Sequence, residues 1–200
     1  MSTTIDVETV KQKVIEMVRQ AAITRVGDHS RLDGFELLEL SDTRAAGEVL
    51  GNWMSIILVT GDAIRITLKL HFSSSDAKAV SHVVYGEDSP NGVSDAKAED
   101  FVKELSNLMA GYIVKTFEGM NIPMGISLPL CTRGFYEVFA DYVPTESPLI
   151  RFSDLWRLEY KNRAISGTVM IEISNPNALD ALCDFDLDQD DDDDSEFDFL

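Results

Sequence analysis

Asp100, Glu104, Asn107 and Gly111 recur at offsets of 0, 4, 7 and 11. At about 100° per residue those offsets place two carboxylates, a carboxamide and a glycine on one narrow stripe of a helix. Phe101, Leu105, Leu108 and Tyr112 keep the same spacing and form a second, apolar stripe about 100° away. The apolar stripe faces a core, and the polar ridge beside it ends in a residue without a side chain. Carboxylates can pair with a cation, and an uncharged carboxamide both donates and accepts hydrogen bonds. A glycine inside a helix costs up to about 1 kcal/mol against alanine, so Gly111 calls for a packing or docking reason. Any solvated helix face also carries such residues, and the spacing alone leaves both readings open.

Other reactive groups do not gather. There is no glycine-rich phosphate loop and no G-x-S-x-G turn. His29, His71 and His82 are scattered, with no cysteine or carboxylate at metal-ligand spacing, so no metal site is expected. Cys131 and Cys183 show no spacing pattern and read as two reduced thiols.

The chain has 200 residues, of which 35 are acidic and 17 basic, for a formal charge of −18. Ten of the acids lie between Asp184 and Leu200, a stretch with no Lys or Arg. A chain this acidic repels phosphate backbones, which argues against a nucleic-acid partner. Apolar types make up 44% of the residues, enough for a sizeable core. No apolar run approaches the roughly 20 residues that cross a bilayer, and Met1–Asp6 lacks a basic signal-peptide start. A cytoplasmic protein without membrane insertion is expected.

The elements that must position the ridge can be read from periodicity. Val7, Val10, Val14, Met17, Val18 and Ala21 predict a helix from Ile5 to Ile23, with Gly27 as its stop. Residues 28–51 give no clear element, although Leu37, Leu38 and Leu40 could pack locally. Trp53–Val59 is nearly all apolar, and after a turn at Thr60-Gly61-Asp62 the segment Ala63–Phe72 alternates strictly. That is a hairpin with one buried face. Ser73 to Asp76 can cap a short helix reaching Tyr85, closed by Gly86. Glu87 to Asp95 is a loop, and the ridge helix runs from Val93 or Ser94 to about Phe117. Strands are expected at Gly125–Arg133, Phe135–Tyr142, Leu149–Tyr160 and Ala164–Ser174. The fold class is therefore α+β, long helices on an antiparallel-rich sheet, over residues 1–174. Residues 175–200 are expected to form a disordered acidic tail, whose interleaved Phe185, Leu187, Phe197, Phe199 and Leu200 could serve as a docking segment.

The ridge resembles the motif of the CheC/CheX/FliY family of chemotaxis phosphatases: Asp or Ser, three residues, Glu, two residues, Asn, then about 21 or 22 residues and a Pro. Asp100, Glu104 and Asn107 match, and 21 residues, 108 to 128, separate Asn107 from Pro129. Asn107-Leu108-Met109-Ala110-Gly111 is similar to the family's Asn-x-Ile-x-Gly continuation, and Ile126-Ser127-Leu128-Pro129 to its strand ending in Pro. Val59-Thr60-Gly61-Asp62, Phe72-Ser73-Ser74-Ser75-Asp76 and Val83-Val84-Tyr85-Gly86 resemble its hairpin and following helix. The likeness spans roughly residues 5 to 174. The first helix contains no Asn, so a single site is implied, as in the CheX type.

The resemblance implies a sheet of about six strands under two long helices, in some members dimerised edge to edge. It implies a phosphorylated CheY-like response regulator as substrate, in chemotaxis or two-component signalling, and hydrolysis of its aspartyl phosphate. Asn107 would hold the attacking water, and Glu104 would pair with the regulator's active-site Lys. Asp100 would cap or orient, Gly111 would admit the partner, and Pro129 would be structural. No cofactor of its own is implied, since the regulator supplies Mg²⁺. The same resemblance admits a non-catalytic adaptor, because relatives of this fold bind partners without hydrolysis.

Overall fold

A computed structural model describes residues 6–40, 51–133 and 150–184. Helix α1 (Val7–Ser30) starts where the Asp6 carboxylate accepts the Glu8 amide at 3.0 Å and the Thr9 hydroxyl at 2.8 Å. Val10, Val14, Met17, Val18 and Ala21 of the face the periodicity assigns are fully buried, and Val7 at its start is half-buried. The expected stop near Ile23 and Gly27 is wrong. Val26 and Ser30 are buried as well, so packing carries the helix through Gly27. It closes at Arg31, whose left-handed φ of 57° returns its amide to the Gly27 carbonyl at 3.0 Å.

In chain order follow β1 (Glu36–Glu39), β2 (Trp53–Thr60), β3 (Ile64–Phe72), α2 (Ser74–Ser81), α3 (Asp95–Gly119), β4 (Gly125–Ile126), β5 (Leu130–Arg133), β6 (Ile150–Tyr160), β7 (Arg163–Ile173) and α4 (Ala181–Asp184). The strands form one antiparallel sheet in the order β1-β6-β7-β3-β2-β4, with β5 also on β2. The long helices α1 and α3 pack on each other and on the sheet, sharing a core with Ile64, Ile66, Leu68, Leu70 and Phe72. Six columns of strands under two long helices is the architecture the sequence implies. Strand β1 lies in the stretch that periodicity left blank, too short and too charged to show an alternating pattern. Helix α2 begins at its Ser73 cap as expected but ends at Ser81, and turns carry the chain to Gly86, whose φ is +66°.

Three further departures have local causes. The hairpin was expected to bury one face, yet Thr67, Lys69 and His71 are at most 8% exposed. Strand β3 is central, flanked by β2 and β7, and its polar side chains find partners across the ladder. His71 Nε2 lies 2.9 Å from the Thr168 hydroxyl, and Arg65 and Arg151 reach the Glu172 carboxylate at 3.4 and 3.0 Å. The expected strand Gly125–Arg133 is broken in two. Val59 pairs with Ile126 but Ile56 with Leu130, so the edge strand carries one extra residue between them. Ser127 fills the gap: its amide donates to the Leu58 carbonyl at 2.9 Å and its hydroxyl accepts the Leu58 amide at 3.0 Å. Pro129, which has no amide hydrogen to donate, falls inside this bulge. Finally, residues 175–184 belong to the packed domain, because Leu179 and Leu182 are buried in the core. The expected strand Phe135–Tyr142 and residues 185–200 of the expected tail lie outside the described residues.

One glycine is required by packing. Gly167 pairs directly with Trp156, which is fully buried, and a Cβ there would come within 2.1 Å of the indole. Gly167→Ala is expected to destabilise the domain by about 1–3 kcal/mol through overpacking. A chemical-denaturation midpoint equal to wild type would contradict this.

Candidate functional site

Helix α3 supplies a rigid support for the ridge. Ser94 caps it, its hydroxyl accepting the Lys97 amide at 3.2 Å. Phe101, Val102, Leu105, Ser106, Met109, Tyr112 and Ile113 are buried, and Leu108 is half-buried. The Ser106 hydroxyl bonds the Val102 carbonyl at 2.9 Å and the Ser55 hydroxyl on β2 at 2.8 Å, pinning the helix to the sheet one residue before Asn107.

The structure brings Asp100, Glu104, Asn107 and Gly111 onto one outward ridge of α3. Asp100, Glu104 and Gly111 are exposed and Asn107 is half-buried. Lys103 lies 3.0 Å from Asp100 and 3.4 Å from Glu99, and the Asp100 bond holds its ammonium above the ordinary lysine value. Asp100 is thus engaged within its own helix. Among the described residues, no ion pair engages Glu104 and no hydrogen bond engages the Asn107 carboxamide. The Asn107 carboxamide thus sits half-buried on a rigid helix with its donor and acceptor both open to solvent or to a partner.

A Cβ at 111 would meet nothing within 4 Å, which removes the packing explanation for this glycine. Gly111→Ala is therefore expected to raise stability by about 0.5–1 kcal/mol, the helix-propensity gain at an exposed position. Loss of stability in thermal or urea unfolding would contradict it.

Pro129 sits in the bulge on the sheet edge beside α3, and Leu128 next to it is 89% exposed. At the other end of this edge, Cys131 packs near Glu99, and burial pushes its thiol up to about 11. That burial disfavours the thiolate, the nucleophilic form, at neutral pH.

One neighbour of the ridge helix was not legible in the sequence. His29, in the last turn of α1, stacks on Phe101 with ring centroids 4.4 Å apart and planes at 18°. Its Nε2 lies 3.3 Å from the Phe101 carbonyl, and the Glu104 carboxylate acts on the ring. Four residues earlier on α1, Arg25 lies over the Tyr112 ring, 5.2 Å from its centroid. Ending α1 at Ile23 hid this: Val18, Ala22, Arg25 and His29 continue one face at helical spacing.

No sequence family matches the chain, and no curated protein matches it. Solved structures do. The CheX–CheY–BeF3–Mg²⁺ complex from Borrelia burgdorferi superposes with a TM-score of 0.58 at 14% identity, covering 79% of this chain and 97% of that one. A CheC-like superfamily protein from Shewanella sp. PV-4 gives 0.59 at 12% identity, covering 84% and 99%. FliY from Thermotoga maritima gives 0.53 at 10% identity, covering 91% and 98%. These likenesses cover most of this chain and nearly all of each of those chains. The chain has the CheC/CheX/FliY fold.

Proposed function

We propose that this protein is a phosphatase of a phosphorylated CheY-like receiver domain, acting on its aspartyl phosphate. The observation that carries the reading is the unengaged Glu104/Asn107 pair, one turn apart on the outward ridge of α3. The solved CheX–CheY complex of the same fold supports a receiver as partner.

In this reading the receiver brings Mg²⁺ and a lysine that hold the phosphoryl oxygens. Phosphoryl transfer passes through a loose transition state, so placement of the attacking water is most of the catalytic work. Asn107 suits that task, because a carboxamide accepts a hydrogen bond from water and donates another without presenting charge to phosphate. Glu104 pairs with the receiver's lysine and sets the register in which Asn107 meets the phosphoryl group. Asp100, already bound to Lys103, shapes the start of the ridge, and Gly111 leaves its far end open to the approaching surface. Pro129 holds the edge bulge beside the helix.

The test is to add the protein to a phosphorylated receiver domain and follow inorganic phosphate. Release above the spontaneous rate, proportional to protein concentration, is the expected result. A rate equal to spontaneous decay at saturating protein would reject the reading.

A further inference from the structure

We propose that His29 is a positioning residue of this site, holding the turn of α3 that leads to Glu104 and, once protonated, competing for that carboxylate with a partner's cation. The proposal rests on the receiver-phosphatase reading for the identity of the partner, but its structural basis is independent. The ring is fixed twice, by its stack on Phe101 and by its Nε2 contact with the Phe101 carbonyl. A carbonyl oxygen only accepts, so Nε2 carries the hydrogen in the neutral ring, and Nδ1 is left with the lone pair. Protonation turns Nδ1 into a second donor and places a positive charge against Phe101, three residues and so about one helical turn before Glu104.

On α1, Arg25 and Asp28 lie 3.6 Å apart and largely offset each other. From α3 the facing charge is Glu104. Burial pushes the imidazole below its ordinary value, while the Phe101 carbonyl and Glu104 pull it back up. The ring is therefore neutral at neutral pH, Glu104 is then available to a partner, and acidification takes it away. Since a histidine gains its proton as pH falls, docking must weaken in acid rather than in base.

The test measures KM and kcat for phosphate release from one receiver between about pH 7.5 and about pH 5, reaching below the ordinary histidine value because burial lowers this one, with wild type beside His29→Gln. Glutamine keeps an N–H for the Phe101 carbonyl but does not titrate. The wild-type KM is expected to rise about fivefold more than that of the variant on acidification, the scale of a half-exposed ion pair, with kcat less affected. The His29 resonances of the free protein are titrated by NMR in parallel, in wild type and Glu104→Gln. Removing the carboxylate's charge is expected to lower the His29 midpoint. Superimposable KM profiles for wild type and His29→Gln, or a midpoint indifferent to Glu104→Gln, overturn the proposal. Absence of any receiver response in wild type at every pH overturns the phosphatase reading and the docking role with it. An NMR shift that persists in that case shows that the fault lies in the partner assigned, not in the His29–Glu104 pair.

Discussion

Asn107→Ala should give a folded protein that binds a phosphorylated receiver domain and no longer speeds the loss of its phosphate. The side chain is half-buried on a helix whose core face and cap are elsewhere, and its carboxamide holds no described residue in place. Removing it therefore costs little stability, and alanine is itself a strong helix former. The catalytic cost is different in kind. Loss of one pre-positioned polar group at a reacting centre lowers the chemical step by about 100-fold or more. In the proposed role the group acts on water rather than on the partner, so affinity for a stably activated receiver should stay within about twofold of wild type. Asn107→Asp sharpens the expectation, since it keeps the shape but brings a charge toward phosphate; it should be as inactive as alanine.

Glu104→Lys should abolish productive docking. In the fold this carboxylate is exposed and holds no ion pair among the described residues, so the exchange leaves the helix intact. In the proposed interface it would set one ammonium against another in a desolvated contact. Truncating one partner of such a pair costs about 2–5 kcal/mol, and reversing its charge costs at least as much. The apparent affinity for the receiver should fall by about 30-fold or more, since each 1.4 kcal/mol is a factor of ten. Glu104→Gln should fall between the two and lose part of the salt dependence expected of wild type. Isothermal titration with an activated receiver decides it: unchanged affinity in Glu104→Lys would remove Glu104 from the interface and leave Asn107 without a register.

The two variants fail differently, which separates a catalyst from an adaptor. A catalyst loses kcat at Asn107 and affinity at Glu104. An adaptor has no activity to lose at Asn107, and only Glu104→Lys changes what it does.

What could be read from the sequence follows from the range of the interactions involved. The ridge of α3 was legible because helical spacing is local: Asp100, Glu104, Asn107 and Gly111 share a face wherever that helix lies. The α1 core face and the β2–β3 hairpin were legible for the same reason. The end of α1 was not, because Gly27 is a local stop signal overridden by the burial of Val26 and Ser30 on distant elements. Strand β1 was invisible since Glu36 and Glu39 leave no alternation; only its pairing with β6 makes it a strand. The split of the edge strand at Ser127–Pro129 depends on a one-residue register change against β2, which spacing along one chain cannot reveal. Leu179 and Leu182 sit near an acidic run that reads as solvated, yet both are buried in the core. His29 is the clearest case for the site. It is 72 residues from Phe101, and its role emerges only once the two long helices are laid side by side.

The most direct measurement is the first-order loss of phosphate from a labelled receiver domain, with wild type beside Asn107→Ala at concentrations where both are bound. The expected result is acceleration by wild type and decay at the spontaneous rate with Asn107→Ala. Equal rates for the two bound proteins, whether both fast or both at the spontaneous value, would contradict the assignment of Asn107 as the residue that places water.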